Sequence, residues 1–217
     1  GGTTRNRLAA FDTATGTATS FNPNMNGGVN ALTLSGATLY AGGYFTTVNG
    51  GTTRNHLAAI DTTTGTATSF NPNLNNTVNT LMLSGSTLYA GGFFNTVNGG
   101  TNRNFLAAID TTTGTATSFN PNMNGSVSAL ALSGSTLYAG GFFNSVNGGT
   151  SRNYLAAFDT TTGTATSFNP NLNNSVSALA ISGNTLYAGG NFSKVNGEQK
   201  LTTGLSFINM TTGQPLP

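Results

Sequence analysis

Four arginines and four aspartates recur at fixed intervals in a chain of 217 residues that is otherwise almost free of charge. Arg5, Arg54, Arg103 and Arg152 stand 49 residues apart, and so do Asp12, Asp61, Asp110 and Asp159. A ring of carboxylates is raw material for acid–base catalysis or a metal centre, and both need acids within a few ångströms of one another. The pattern argues against that use. Only five acids exist, and four of them occupy equivalent places in different units. Asp at the head of D-T-x-T-G has a local task instead: its carboxylate caps N–H groups of a hairpin turn. A structural Arg–Asp pair is also expected. A trailing partial unit has Leu201 near the Arg place and Asn209 at the Asp place. Losing one partner of such a pair strands the other.

His56 is the single histidine, and its equivalents are Arg7, Phe105 and Tyr154. The place accepts any bulky side chain, which is not how a metal ligand or general base behaves. Without Cys there is no thiolate, disulfide or Cys-ligated metal. No P-loop, zinc-type His spacing or Ser-His-Asp signature occurs. No catalytic residue, cofactor or metal is expected. The glycine pairs at Gly42-Gly43, Gly91-Gly92, Gly140-Gly141 and Gly189-Gly190 follow strands and precede no helix. They read as bulges, with the next two residues (Phe93 and Phe94 in the second unit) turning toward the core, rather than as phosphate cradles. The best ligand candidates are the Asn-rich corners: Asn71, Asn73, Asn75 and Asn76, and Asn169, Asn171, Asn173 and Asn174. Their amides suit sugar hydroxyls or calcium. Calcium sites normally include carboxylates, which the corners lack, and Asx turns are a competing local use.

The elements that position these residues follow from the repeat. The unit reads R-N-x-L-A-A-[FI]-D-T-x-T-G-T-A-T-S-F-N-P-N-[ML]-N, then V-x-x-L-x-[LI]-S-G-x-T-L-Y-A-G-G-x-F, then V-N-G. Val78 to Leu83 alternates in the period of a strand. Ser84-Gly85-Ser86 is a tight turn, and Thr87 to Ala90 a second strand. Val97 to Gly100 is a crossing loop, and Leu106 to Ile109 a third strand. Asp110 to Gly114 is a hairpin turn, and Thr115 to Phe119 a fourth, outermost strand stopped by Pro121. A four-stranded sheet of this kind cannot bury both faces alone, and packing sheets around an axis solves the problem. A period in the forties matches propeller blades. The expected fold is all-β: a β-propeller of four-stranded antiparallel blades, four to five in number, formed by about four and a half repeats. One domain spans 1–217, with a half blade at 1–25 and blades near 29–70, 78–119, 127–168 and 176–217. Met25 and Met123 alternate with Leu74 and Leu172, as duplication of a two-blade block would leave them.

The motifs F-N-P-N, V-x-x-L-x-L-S-G, T-L-Y-A-G-G-x-F, V-N-G and L-A-A-[FI]-D-x-x-T-G resemble the delta-60 type of bacterial β-propeller repeat over nearly the whole chain. The resemblance implies the propeller fold and a place in large secreted or surface proteins. It implies no catalytic residues.

Composition bounds the partners. Charged residues make up 6%, against roughly 25% in ordinary soluble domains. The net charge of +2 forms no basic stripe, so nucleic acid is not an expected partner. No apolar run is long enough for a membrane helix. A Thr/Asn/Ser/Gly-rich surface points to an extracellular or cell-surface setting. The chain starts at Gly1 without Met, as a processed piece does. At the other end, Pro215 to Pro217 stands where a fourth strand belongs. Three possibilities are open: Thr17 to Phe21 completes the last blade beyond Asn209, with Leu8 to Asp12 and Leu205 to Asn209 competing for one slot; terminal pieces pair between molecules; or the chain is cut from a longer array. The expected function is a non-enzymatic structural or adhesive module that self-assembles as a homo-oligomer, fibre or surface layer. The alternative is a lectin-like binder with one weak glycan site per blade.

Overall fold

The computed structural model describes residues 4–199 and 205–214, and every regular element among them is a strand. The first sheet is built from β1 (Val29–Ser35), β2 (Thr38–Gly43), a ribbon of β3 (Thr47–Val48) and β4 (Thr52–Thr53), and β5 (Leu57–Asp61). The second repeats this as β6 (Val78–Ser84), β7 (Thr87–Gly92), β8 (Thr96–Val97), β9 (Thr101–Asn102) and β10 (Leu106–Asp110). The third has β11 (Ser126–Ser133), β12 (Thr136–Phe142), β13 (Ser145–Val146), β14 (Thr150–Ser151) and β15 (Leu155–Asp159). The fourth has β16 (Val176–Ser182), β17 (Thr185–Gly190), β18 (Lys194–Val195), β19 (Glu198–Gln199) and β20 (Leu205–Asn209). In each sheet the second long strand is central, with the first and third antiparallel on either side. Leu201 and residues 215–217 fall outside the described residues.

The expected fourth strand is not a ladder strand. It touches the third strand through one bridge per unit: Phe11 to Ala18, Ile60 to Ala67, Ile109 to Ala116 and Phe158 to Ala165. The reason lies in who holds its backbone. Ala67 N–H donates to Asn49 Oδ1, Asn49 Nδ2 donates to Gly65 O, and Arg54 Nη2 donates to Thr68 O. Side chains satisfy groups that a ladder otherwise holds. The sheets are therefore three-stranded with a side-chain-tethered rim.

The glycine pairs also behave differently from expectation. The bulge sits on the facing strand: Val78 opposes Gly92 and Thr80 opposes Gly91, leaving Asn79 between them. Each glycine is required by a close approach. A Cβ at Gly91 meets Val127 Cγ1 of the next sheet at 2.6 Å, and one at Gly92 meets Thr77 O at 2.1 Å. Of the two following aromatics, Phe94 enters the core and Phe93 turns outward.

Four apolar clusters form the core, one at each junction between successive units. At the junction of the first two sheets, Tyr40, Leu57, Ala59, Phe70 and Leu74 pack on Val78, Leu88, Ala90, Phe94 and Ile109. Burying one such large side chain stabilises by about 1.5–3 kcal/mol. Tyr89 meets Phe119 edge to face at 5.4 Å, and Tyr40 and Tyr138 repeat this with Phe70 and Phe168. In the fourth sheet Tyr187 meets Phe207 of β20 instead, at 5.1 Å. Phe207 holds the place where the first sheet has Ala59. Inner strands follow one another in chain order, and Asn30 Nδ2 of β1 donates to Val78 O of β6.

The competition for the slot beside β17 is decided within the chain, since β20 takes it from Gly189 to Thr185. Thr17 to Phe21 stays with its own hairpin, where Asp12 N–H donates to Thr17 O and Thr19 N–H to Ala10 O. Beyond β20, Asn209 N–H donates to Gln214 O.

Candidate functional site

Arg and Asp are not a pair. Arg54 Nη1 donates to Thr53 O and Nη2 to Thr68 O, and Arg5, Arg103 and Arg152 repeat both contacts in their own units. The guanidinium clamps the rim to the entry of the third strand. Its Nε is buried without a partner in all four units, and burial holds the Arg103 pKa below its ordinary value. Asp61 Oδ1 accepts from Thr63 N–H, Thr64 N–H and Thr64 Oγ1. Asp12, Asp110 and Asp159 cap their turns in the same way. The backbone bond from the residue three places after the Asp lowers each of these carboxyl pKa values most. The decisive case is Asn209, whose Oδ1 accepts from Thr211 and Thr212 N–H in the same geometry without a charge. The place requires an oxygen at a turn, not an anion beside a cation.

The Asn-rich corners are used internally. Asn75 Oδ1 accepts from Asn95 and Thr96 N–H, and Asn173 Oδ1 accepts from Ser193 and Lys194 N–H. Asn76 and Asn174 hold the N–H of the next residue. Asn73 and Asn171 adopt φ near +45° and accept from Asn55 and Asn153. Asn71 and Asn169 lie with their backbones against the turn glycines Gly114 and Gly213. Among the described residues no cluster of acids and histidine able to hold a metal forms.

The variable place at Arg7, His56, Phe105 and Tyr154, where sugar stacking competes with core or interface packing in the sequence, lies where the second strand of each sheet gives way to the ribbon. Tyr44, Phe93 and Phe142 are exposed there, Phe142 by 64%. Beside them stand His56, Phe105 and Tyr154 at φ +64°, +64° and +63°. A left-handed bulky residue is strained. His56 N–H donates to Phe45 O and its carbonyl accepts from Gly43 N–H, which pins that conformation. Burial lowers the His56 pKa, partly offset by its ring contact with Gly43 O. Phe142 and Tyr154 rings lie 5.9 Å apart. With Phe93 and Phe105 of the neighbouring sheet they line a cleft of about 350 Å³, edged by Asn124 and Asn144. In the fourth sheet Asn191 stands where the exposed aromatic belongs. The signal was visible in the sequence as variation: positions 7, 56, 105 and 154 differ within otherwise near-identical units.

No protein-family model and no curated protein matches this chain. Solved structures do. The computationally designed Ika4 protein aligns over 85% of this chain and 92% of its own, at TM-score 0.56 and 15% identity. A chain of a mitotic checkpoint complex aligns over 94% of this chain and 55% of its own, at 0.60 and 17%. The WD40 β-propeller domain of Doa1 aligns over 87% and 53%, at 0.55 and 11%. At such identities the likeness is one of fold: an all-β repeat of the propeller kind.

Proposed function

We propose that the chain is a non-enzymatic structural and adhesive module of an extracellular or cell-surface protein. In this reading it forms a β-propeller of four or five sheets of the delta-60 type, and it associates with further sheets of its own repeat. The observation that carries the reading is the half-junction left open on each outer sheet. On β1, Leu32 is 49% exposed, whereas Leu130, its equivalent on β11, is 6% exposed. On the fourth sheet, Tyr187, Ala178, Leu179 and Ala180 line an open recess of about 190 Å³. These are the two halves that meet at every interior junction, so a sheet of the same repeat has the shape each face lacks. Such a sheet can come from a copy or from adjoining repeats. A chain with only 6% charged residues opposes association only weakly. Four of the five acids, Asp12, Asp61, Asp110 and Asp159, already cap turns, which supports a role without catalysis.

Sedimentation velocity and negative-stain microscopy over a range of concentrations test this. Oligomers or fibres that grow with concentration, and that Leu32→Glu disperses, are the expected result. Uniform particles of one size at every concentration overturn the assembly reading.

A further inference from the structure

The cleft between the second and third sheets is lined by Phe105 and Tyr154, which pack partly on the core clusters and share the left-handed backbone that Arg7 and His56 adopt at the same place. Phe105 and Tyr154 hold left-handed backbone at φ +64° and +63°, which costs a bulky residue of order 1–3 kcal/mol. Elsewhere this repeat meets the same demand with Asn, at Asn98, Asn122 and Asn147, the residue that tolerates it best. At the cleft it uses an aromatic instead.

The internal comparison points the same way. The clamping Arg, the capping Asp and the Leu-Ala-Ala of the third strand are identical in all four complete copies of that segment. The residues around the cleft change: Arg7, His56, Phe105 and Tyr154 at one place, and Tyr44, Phe93, Phe142 and Asn191 at the other. The units vary elsewhere too, as at Met25, Leu74, Met123 and Leu172, but exposed variable positions on a fixed scaffold are where repeat folds place binding specificity.

The polar lining defines the ligand. Asn124 Oδ1 accepts from Asn144 and Ser145 N–H, and Asn124 Nδ2 donates to Asn144 Oδ1. That locks both amides and leaves Asn144 Nδ2 without an acceptor among the described residues. Among the described residues no charged side chain lines the cleft. Its volume, about 350 Å³, lies at the small end of ligand sites.

We propose that this cleft binds a neutral saccharide, with an aromatic ring against the C–H face of a sugar and the free amide hydrogens donating to hydroxyl oxygens. An anionic glycan finds no counter-charge here. An apolar peptide covers the amide without an acceptor, which carries a desolvation penalty. The neighbouring positions grade the effect: Tyr44 with His56 is a more polar version on the first sheet, and Asn191 removes the platform on the fourth.

The test is affinity electrophoresis of the intact chain through gels containing xylan, mannan or mixed-linkage glucan, with alginate as the anionic control. The expected result is retardation in at least one neutral gel that persists in added salt. Phe142→Ala abolishes it at unchanged melting temperature, since that ring is mostly exposed. Tyr154→Asn, which keeps the left-handed backbone, weakens it roughly tenfold. Absence of retardation in every neutral gel, retardation in alginate alone, or retardation that survives Phe142→Ala overturns the proposal. Sedimentation of the same variants separates this from self-association. If Phe142→Ala disperses oligomers and no neutral gel retards the chain, the cleft is a contact between copies and the proposal falls. Retardation of a chain that sediments as a monomer supports the saccharide site and tells against the assembly reading alone.

Discussion

The first and third sheets are close to copies in sequence and hydrogen bonding, yet they differ in how much they bury. β1 pairs with β2 in the register that β11 keeps with β12, bulge included. From Val127 to Ala131 every position of β11 except half-buried Ser128 is buried, while β1 alternates between half-buried and exposed from Val29 to Leu34. The difference is not in the strands. β11 lies between β6 and β16 and packs on both, whereas β1 packs along β6. Register is a local property of the hairpin, and burial is supplied by the neighbour. This is the energetics of a repeat array, in which stability is the sum of unit and interface contributions.

The comparison can be broken most sharply at equivalent leucines. Leu130→Ala is expected to cost about 2–5 kcal/mol, and Leu32→Ala less than about 1 kcal/mol, both measured by denaturant unfolding of the intact chain. Equal costs would mean that β1 is covered in solution. Next in size is Gly140→Ala. Its Cβ arrives 2.5 Å from Val176 Cγ1 and 2.9 Å from Val176 Cβ across the junction, and a β-branched neighbour cannot rotate away. Overpacking of this kind costs about 1–3 kcal/mol, and Val176→Ala in the same chain should restore part of it.

The smallest effect distinguishes the fourth turn from the other three. The Asp12, Asp61, Asp110 and Asp159 carboxyls are held below their ordinary pKa by turn hydrogen bonds. Their contribution is present above the unfolded value, about 4, and is lost as pH falls through the lower folded value. Hydrogen exchange at Thr64, Thr113 and Thr162 should quicken over that range beyond the intrinsic trend, while Thr212, held by Asn209, should not respond. Asp110→Asn should remove the pH response at Thr113 and leave the unfolding midpoint of the intact chain unchanged. A large loss would restore a role for the charge.

Much of this was legible in the chain. The alternation of Val78 to Leu83 placed the inner strand, and Ser84-Gly85 placed its turn, where Gly85 takes φ +55°. Asp110 with Gly114 placed the rim hairpin, closed by Gly114 N–H donating to Asp110 O. The rim strand was misread because Thr-rich sequence has strand propensity, and nothing local announces that Asn98 and Arg103 will take its hydrogen bonds. The Arg–Asp pair was misread because the trailing unit lacks both charges together, with Leu201 and Asn209 in their places, although each charge is tied to a nearby backbone.

The sequence by itself determined whatever is settled within about ten residues: strand alternation, turn chemistry, the 49-residue period and the shortage of reactive groups. These depend on local backbone preference and side-chain order, which the chain carries explicitly. The tertiary structure decided which faces are buried, which way Phe93 and Phe94 point, what Arg103 holds, and that aromatics from two sheets meet in one cleft. The buried faces and the cleft depend on groups roughly fifty residues apart being brought within van der Waals distance, while Arg103 reaches Thr117 within its own unit through a fold that no local pattern announces.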